Sequence, residues 1–186
     1  MLRFCVAGAA GRMGNAIITE AIAKGHLITG VVEAPNTPCV GKSLHELGIA
    51  NSDIKILSSD KLNEAVRDAD VYVSFTVPVA EVTNIPIVAN LGKRIILGTT
   101  GFNSDQNRQV VAAMSGKVPS VFSPNYSVGV NILFKLVESL KAFPQGYDFS
   151  LSEIHHTGKK DAPSGTAKKL EQIVSQTRNY TKTVYG

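Results

Sequence analysis

Two periods of apolar residues alternate along this chain. Short apolar runs at residues 2–7, 27–32, 71–75 and 94–97 are too short for helices and end at Gly, Glu or Thr, the pattern of strands buried on both faces. A weaker run lies at 54–57. Between the runs, apolar residues return every three or four positions. Met13, Ile17, Ala21 and Ile22 predict a helix over 12–24 that Gly25 stops, and further helices are expected over 61–69, 79–91 with a break at Pro86, and 104–114. Residues 34–41 hold two prolines, an Asn and a Gly, and read as a loop. Strands alternating with helices predict a parallel, doubly wound α/β sheet of Rossmann type.

The rhythm changes near Pro124. The stretch SPNYSVGVN, residues 123–131, is rich in turn formers. A helix is expected over 128–140, with Ile132, Leu136 and Leu140 on one face, then a strand over 147–154, a polar loop and a last amphipathic helix over 166–176. The chain therefore divides into a first domain, 1–124, and a second, smaller α+β domain, 125–186, which is incomplete.

Composition narrows the picture. Of 186 residues, 44% are hydrophobic and 18% charged, so a sizeable core is available and disorder is excluded. The net charge of +4 is scattered, and with 6% aromatics and no Trp it forms no stripe for nucleic acid; a small anionic substrate suits it better. The two cysteines, Cys5 and Cys39, form no Cys-x-x-Cys pair, which argues against a disulfide framework or zinc site. No apolar stretch is long enough to cross a membrane, and the amino terminus lacks a signal-peptide pattern, so the cytoplasm is expected.

Gly8, Gly11 and Gly14 follow the first strand and open the first helix. Glycines allow a tight turn and close approach of a pyrophosphate, and the helix amino terminus offers unpaired N–H groups and a positive dipole end. Glu33 closes the second strand about twenty residues on, where it can accept from a ribose 2′-hydroxyl. The neighbouring Ala34 supplies no cation for a 2′-phosphate, which favours NADH over NADPH. Phe75 and Thr76, and Gly98, Thr99 and Thr100, follow later strands and fall at the carboxyl ends where a cofactor crevice is expected.

The most specific stretch is HHTGKKDAPSGTA, residues 155–167. Gly165 and Thr166 begin a helix whose N–H groups suit a carboxylate, Lys159 adds positive charge, and a histidine supplies a group titrating near neutrality. A zinc site from His155 and His156 is disfavoured, because adjacent residues rarely converge on one metal and no further Cys or His is near; no metal is expected.

These motifs, VAGAAGRMG at 6–14, GTTGF at 98–102, SPNYSVGVN and HHTGKKDAPSGTA, occur in an order that resembles the 4-hydroxy-tetrahydrodipicolinate reductase family. The resemblance implies an NAD(P)H-dependent oxidoreductase of the diaminopimelate route to lysine, acting on a small dicarboxylate. Gly8, Ala9, Ala10, Gly11, Arg12 and Met13 match the pyrophosphate loop, and Glu33 the adenosine-ribose acid. Gly98, Thr99 and Thr100, with Ser123, Pro124, Asn125 and Tyr126, match nicotinamide-side contacts. His155 matches the proton donor, Lys159 a second proton-donating and substrate-binding residue, and His156, Gly165 and Thr166 the substrate-carboxylate contacts. The family assembles as a homotetramer through a larger sheet in its second domain and runs several tens of residues past Gly186. A single strand at 147–154 has no ladder partner, so cofactor binding with weak or absent activity is expected of this chain. The alternatives are a cofactor-binding but inactive relative, or another two-domain NAD(P)-dependent dehydrogenase.

Overall fold

A computed structural model describes residues 1–144, 146–158 and 162–178, which form two compact units, Met1–Ser123 and Pro124–Gly186.

The first unit carries six strands: β1 (Arg3–Ala7), β2 (Leu27–Glu33), β3 (Leu57–Ser58), β4 (Val71–Ser74), β5 (Arg94–Leu97) and β6 (Ser120–Phe122). They form one parallel sheet in the order β3-β2-β1-β4-β5-β6. The helices are α1 (Arg12–Ala23), α2 (Leu62–Val66), α3 (Pro78–Asn90) and α4 (Ser104–Met114). Successive side chains of a strand point to opposite faces, and β1 shows the result. Cys5 and Ala7 enter one core with Leu62, Val66, Ile85, Val88, Val110 and Met114, from α2, α3 and α4. Val6, between them, enters a second core with Ile18 and Ala21 of α1, together with Leu44 and Ile56. Both faces are covered, which is why the strands read as unbroken apolar runs.

Four details depart from the sequence pattern. Helix α3 runs through Pro86 without a break. The lost N–H bond is local, while Ile85, Val88 and Ala89 on either side stay buried against the sheet. The weak run at 54–57 contributes only the two-residue β3, because Ile56 is spent on packing and Lys55 pairs in an isolated bridge with Ser43. The helix expected over 61–69 splits into a 3₁₀ turn, Ser59–Lys61, and a short α2. Strand β6 was not expected; Val121 and Phe122 are too few to make a run, and pairing with β5 fixes them as an edge.

In the second unit, α5 (Val128–Glu138) is followed by a 3₁₀ turn, Ser139–Ala142, and α6 (Gly165–Arg178) closes the described chain. Phe134 of α5 and Ala167 and Ile173 of α6 are its buried apolar side chains. The expected apolar face of α5 is instead open, with Ile132 55% and Leu136 61% exposed, and flanks a groove of about 710 Å³ beside α6. No strand is formed over 147–154, where one was expected; an alternating pattern alone does not make a strand. The tail at 181–186, where a second strand could begin, lies outside the described residues.

Helix α2 packs its backbone directly on β2. A Cβ at Gly30 would come 1.9 Å from the Ala65 carbonyl oxygen, which no rotamer can relieve. Gly30→Ala should therefore push α2 off the sheet and destabilise the first unit by about 1–3 kcal/mol or more, read as a lower urea midpoint, whereas Gly25→Ala, with nothing within 4 Å, should cost only the strain of its φ of 74°.

Candidate active site

The sheet order reverses between β1 and β4, and in open α/β sheets a ligand lies at the carboxyl ends of the strands at such a point. The glycine turn after β1 stands there. Gly8 has φ 74°, a left-handed conformation, and accepts from the Gly11 amide at 3.0 Å. A Cβ at Gly14 would come 2.0 Å from the Gly8 oxygen, so only glycine lets α1 start this close to β1. Gly11 is the N-cap of α1 and offers no side-chain acceptor, which leaves the first-turn amides of Arg12 and Met13 uncapped by any side chain and turned toward the crevice end. Such a cradle fits a pyrophosphate. Ala9 is buried beneath the turn, and Ala10, Arg12 and Met13 are exposed on it.

Glu33 ends β2 beside this turn, and its Oε1 accepts from the Ala10 amide at 2.8 Å. The acid thus stands over the loop, at the side of β1 that a ribose would occupy.

Across the reversal point, the ends of β4 and β5 lock together. The Thr76 amide donates to Thr99 Oγ1 at 2.9 Å, and the Gly98 amide donates to the Ser74 carbonyl at 2.8 Å. Gly98 lies against the Phe75 ring: a Cβ there would come 2.0 Å from it. Thr99 is buried and Thr100 exposed. Ser123, after β6, donates its amide to the Leu97 carbonyl at 3.2 Å. Phe75, Thr76, Gly98, Thr99, Thr100 and Ser123 therefore share one end of the first unit with the glycine turn.

Pro124, Asn125 and Tyr126 begin the second unit. The Asn125 amide nitrogen donates to Thr166 Oγ1 at 3.2 Å, and its Oδ1 accepts from the Ser127 amide at 2.9 Å. Asn125 and Thr166, apart in sequence, are thus partners at the start of α6.

That helix start holds a feature that residue spacing alone does not reveal. Ser164 caps α6, its Oγ accepting from the Ala167 amide at 3.0 Å. Glu153 binds Ser164 twice, Oε1 accepting from its amide at 2.8 Å and Oε2 from its hydroxyl at 2.5 Å, and Oε2 also lies 2.8 Å from His155 Nε2. The hydroxyl of Ser164, the His155 ring and the Ser164 amide together hold the Glu153 carboxyl down at about 2. His156 faces elsewhere, its Nδ1 accepting from the Gly158 amide at 3.2 Å. Lys159 lies outside the described residues. The clue to Glu153 was an acid two residues before a histidine, a spacing that puts both on one side of extended backbone. Among the described residues no group of three or more His, Cys, Asp or Glu side chains could hold a metal ion, and no helix is long and apolar enough to cross a membrane.

Two family profiles match the chain: dihydrodipicolinate reductase, N-terminus, over residues 2–126, and dihydrodipicolinate reductase, C-terminus, over residues 129–184. Among curated proteins, it is 36% identical over 177 residues to a 4-hydroxy-tetrahydrodipicolinate reductase of Trichlorobacter lovleyi, covering 95% of this chain and 66% of that protein. It is 39% identical over 178 residues to one of Archaeoglobus fulgidus, with the same two coverages. The chain thus spans about two thirds of the length of these relatives. Among solved structures, it resembles a dipicolinate-bound dihydrodipicolinate reductase from Paenisporosarcina sp. TG-14, with TM-score 0.65, 22% identity, and coverage of 100% of this chain and 69% of that one, a likeness in fold.

A carboxylate whose pKa is depressed by folding contributes stability above its unfolded value of about 4.5, and that contribution is lost as pH falls through about 2. A ¹³C NMR titration of the Glu153 carboxyl should show a midpoint near 2, and Ser164→Ala should return it toward 4.5; a midpoint already near 4.5 in the unaltered protein would contradict the contact.

Proposed function

We propose that this chain, which belongs to the dihydrodipicolinate reductase family, reduces 4-hydroxy-tetrahydrodipicolinate to tetrahydrodipicolinate with a reduced nicotinamide dinucleotide. The observation that carries the reading is His155, held by Glu153 beside the amino terminus of α6, within the run HHTGKKDAPSGTA. It joins a proton donor to an anion receptor in one small unit, and a reaction that reduces a dicarboxylate needs both.

In this reading the cofactor is held mainly by residues of the first unit. Gly8, Ala9, Ala10, Gly11, Arg12 and Met13 cradle the pyrophosphate, Glu33 binds the adenosine ribose, and Phe75, Thr76, Gly98, Thr99 and Thr100, with Ser123, Pro124, Asn125 and Tyr126, form the nicotinamide side. A bound reduced nicotinamide supplies the hydride. The substrate gains that hydride and one proton and loses its hydroxyl group as water, which balances the reaction. Glu153 fixes the His155 ring by accepting from Nε2–H, and His155 gives the proton from Nδ1 as the doubly protonated imidazolium, which leaves it neutral. Lys159, His156, Gly165 and Thr166 bind the carboxylates, the first by charge and the last two through helix-end amides. The protein's share is orientation and charge.

NADH is the favoured cofactor. A carboxylate at Glu33, already drawn over the glycine turn, accepts from a ribose hydroxyl but repels a 2′-phosphate, and Ala34 beside it offers no cation. The substrate acts as a dicarboxylate, the protein works in the cytoplasm, and copies of it associate as a homo-oligomer.

A cofactor-oxidation assay with enzymatically generated substrate, run with NADH and NADPH in parallel, tests the reading. Turnover with a higher kcat/KM for NADH is expected, and Ala34→Arg should move the preference toward NADPH; a clearly higher kcat/KM for NADPH in the unaltered chain would overturn the cofactor preference, and no turnover with either would overturn the activity. His155→Ala should lower kcat by about 10²–10⁴-fold with cofactor affinity unchanged, and Lys159→Ala should raise KM as well.

A further inference from the structure

Helix α3 carries a single charged residue, Glu81, and it is fully buried. Among the described residues no cation pairs with it; hydrogen-bond donors surround it instead. Oε1 accepts from the Ser74 hydroxyl at 2.7 Å and from the Thr76 hydroxyl at 2.6 Å. The Tyr72 hydroxyl lies 3.4 Å from both carboxylate oxygens, and the Asn84 amide nitrogen 3.4 Å from Oε1. Burial holds the carboxyl above its ordinary value, and the four donors offset that effect only in part. Every neighbour can donate, so the arrangement is complementary to a carboxylate.

Ser74 and Thr76 have one hydroxyl proton each, and the contact between their oxygens, 3.3 Å, is longer than either contact to Glu81. Both protons therefore point at the carboxylate, and the Thr76 oxygen is left with lone pairs alone. Thr76 is the residue that ties three strand ends together. A Cβ at Gly8 would come 3.1 Å from its methyl group, its amide donates to Thr99, and its hydroxyl donates to Glu81. It stands on the β4 side of β1, opposite Glu33 on the β2 side.

We infer that Glu81 is a positioning residue of the cofactor crevice: it fixes Thr76 as a pure hydrogen-bond acceptor, matched to an O–H or N–H donor on the nicotinamide half of the dinucleotide. This rests on reading the crevice as a nicotinamide-cofactor site. The sequence hinted at it only through a lone acid in an otherwise uncharged helix.

The test compares binding of NADH with binding of ADP-ribose, which lacks the nicotinamide, in Glu81→Met, Glu81→Gln, Thr76→Val and the Glu81→Met/Thr76→Val double variant. Glu81→Met fills the space without an acceptor, and Thr76→Val keeps the methyl group against Gly8. Each of these two should weaken NADH about three- to tenfold, the worth of one neutral hydrogen bond, with ADP-ribose unchanged, and the double variant should lose no more than Thr76→Val. Equal weakening of both ligands, additive losses in the double variant, or unchanged NADH affinity would overturn the inference while leaving the cofactor reading intact. Should Glu81→Met fail to fold, Glu81→Gln decides, with a smaller loss for NADH alone expected and an unchanged affinity overturning it. An unaltered protein that binds neither ligand would remove the cofactor reading and this inference together.

Discussion

Everything at the crevice depends on one close approach of backbone to backbone, where α1 leaves the turn after β1. Gly14 touches the Gly8 carbonyl at a distance that leaves no room for a side chain. That contact sets the helix start directly above the strand end, aims its uncapped amides outward, and brings Glu33 within reach of the Ala10 amide. A helix displaced by even a methyl group would separate the dipole end from the acid that complements it. The parallel order around β1 and β4 then decides which other residues share this end, because parallel strands all deliver their carboxyl ends to the same edge.

Three carboxylates order the groups around them, each by a different route. Glu33 holds a loop amide and remains partly accessible. Glu153 is held by the capping serine of α6 and in turn holds His155. Glu81 is wholly inside and works through the hydroxyl groups of Ser74 and Thr76. Burying a charge without a counter-ion is costly unless its lone pairs are used, and the donors around Glu81 explain how α3 tolerates it in an otherwise uncharged sequence.

The two units differ in how they meet the need to pair backbone groups. The first closes its ladder strand by strand and covers both faces of the sheet. The second, among its described residues, is built on two helices with a small buried contact and an open apolar face on α5. Its site geometry is local: Glu153, His155 and Ser164 are brought together by side-chain and capping hydrogen bonds rather than by a sheet.

The sequence by itself determined the alternating architecture, the glycine turn and the position of Glu33, because apolar period, glycine spacing and strand ends are properties of neighbouring residues. It also carried the run HHTGKKDAPSGTA, whose residue types announce an anion receptor with a titratable group. Only the tertiary structure decided the rest. Strand β6 exists through its pairing with β5, and the alternation at 147–154 made no strand because a ladder needs a partner that periodicity does not supply. Glu81 and Glu153 acquired their roles from residues brought to them by helix packing and helix capping. Which hydroxyl a buried carboxylate holds is set by distances of a few tenths of an ångström, and those arise only when separate elements of the chain meet.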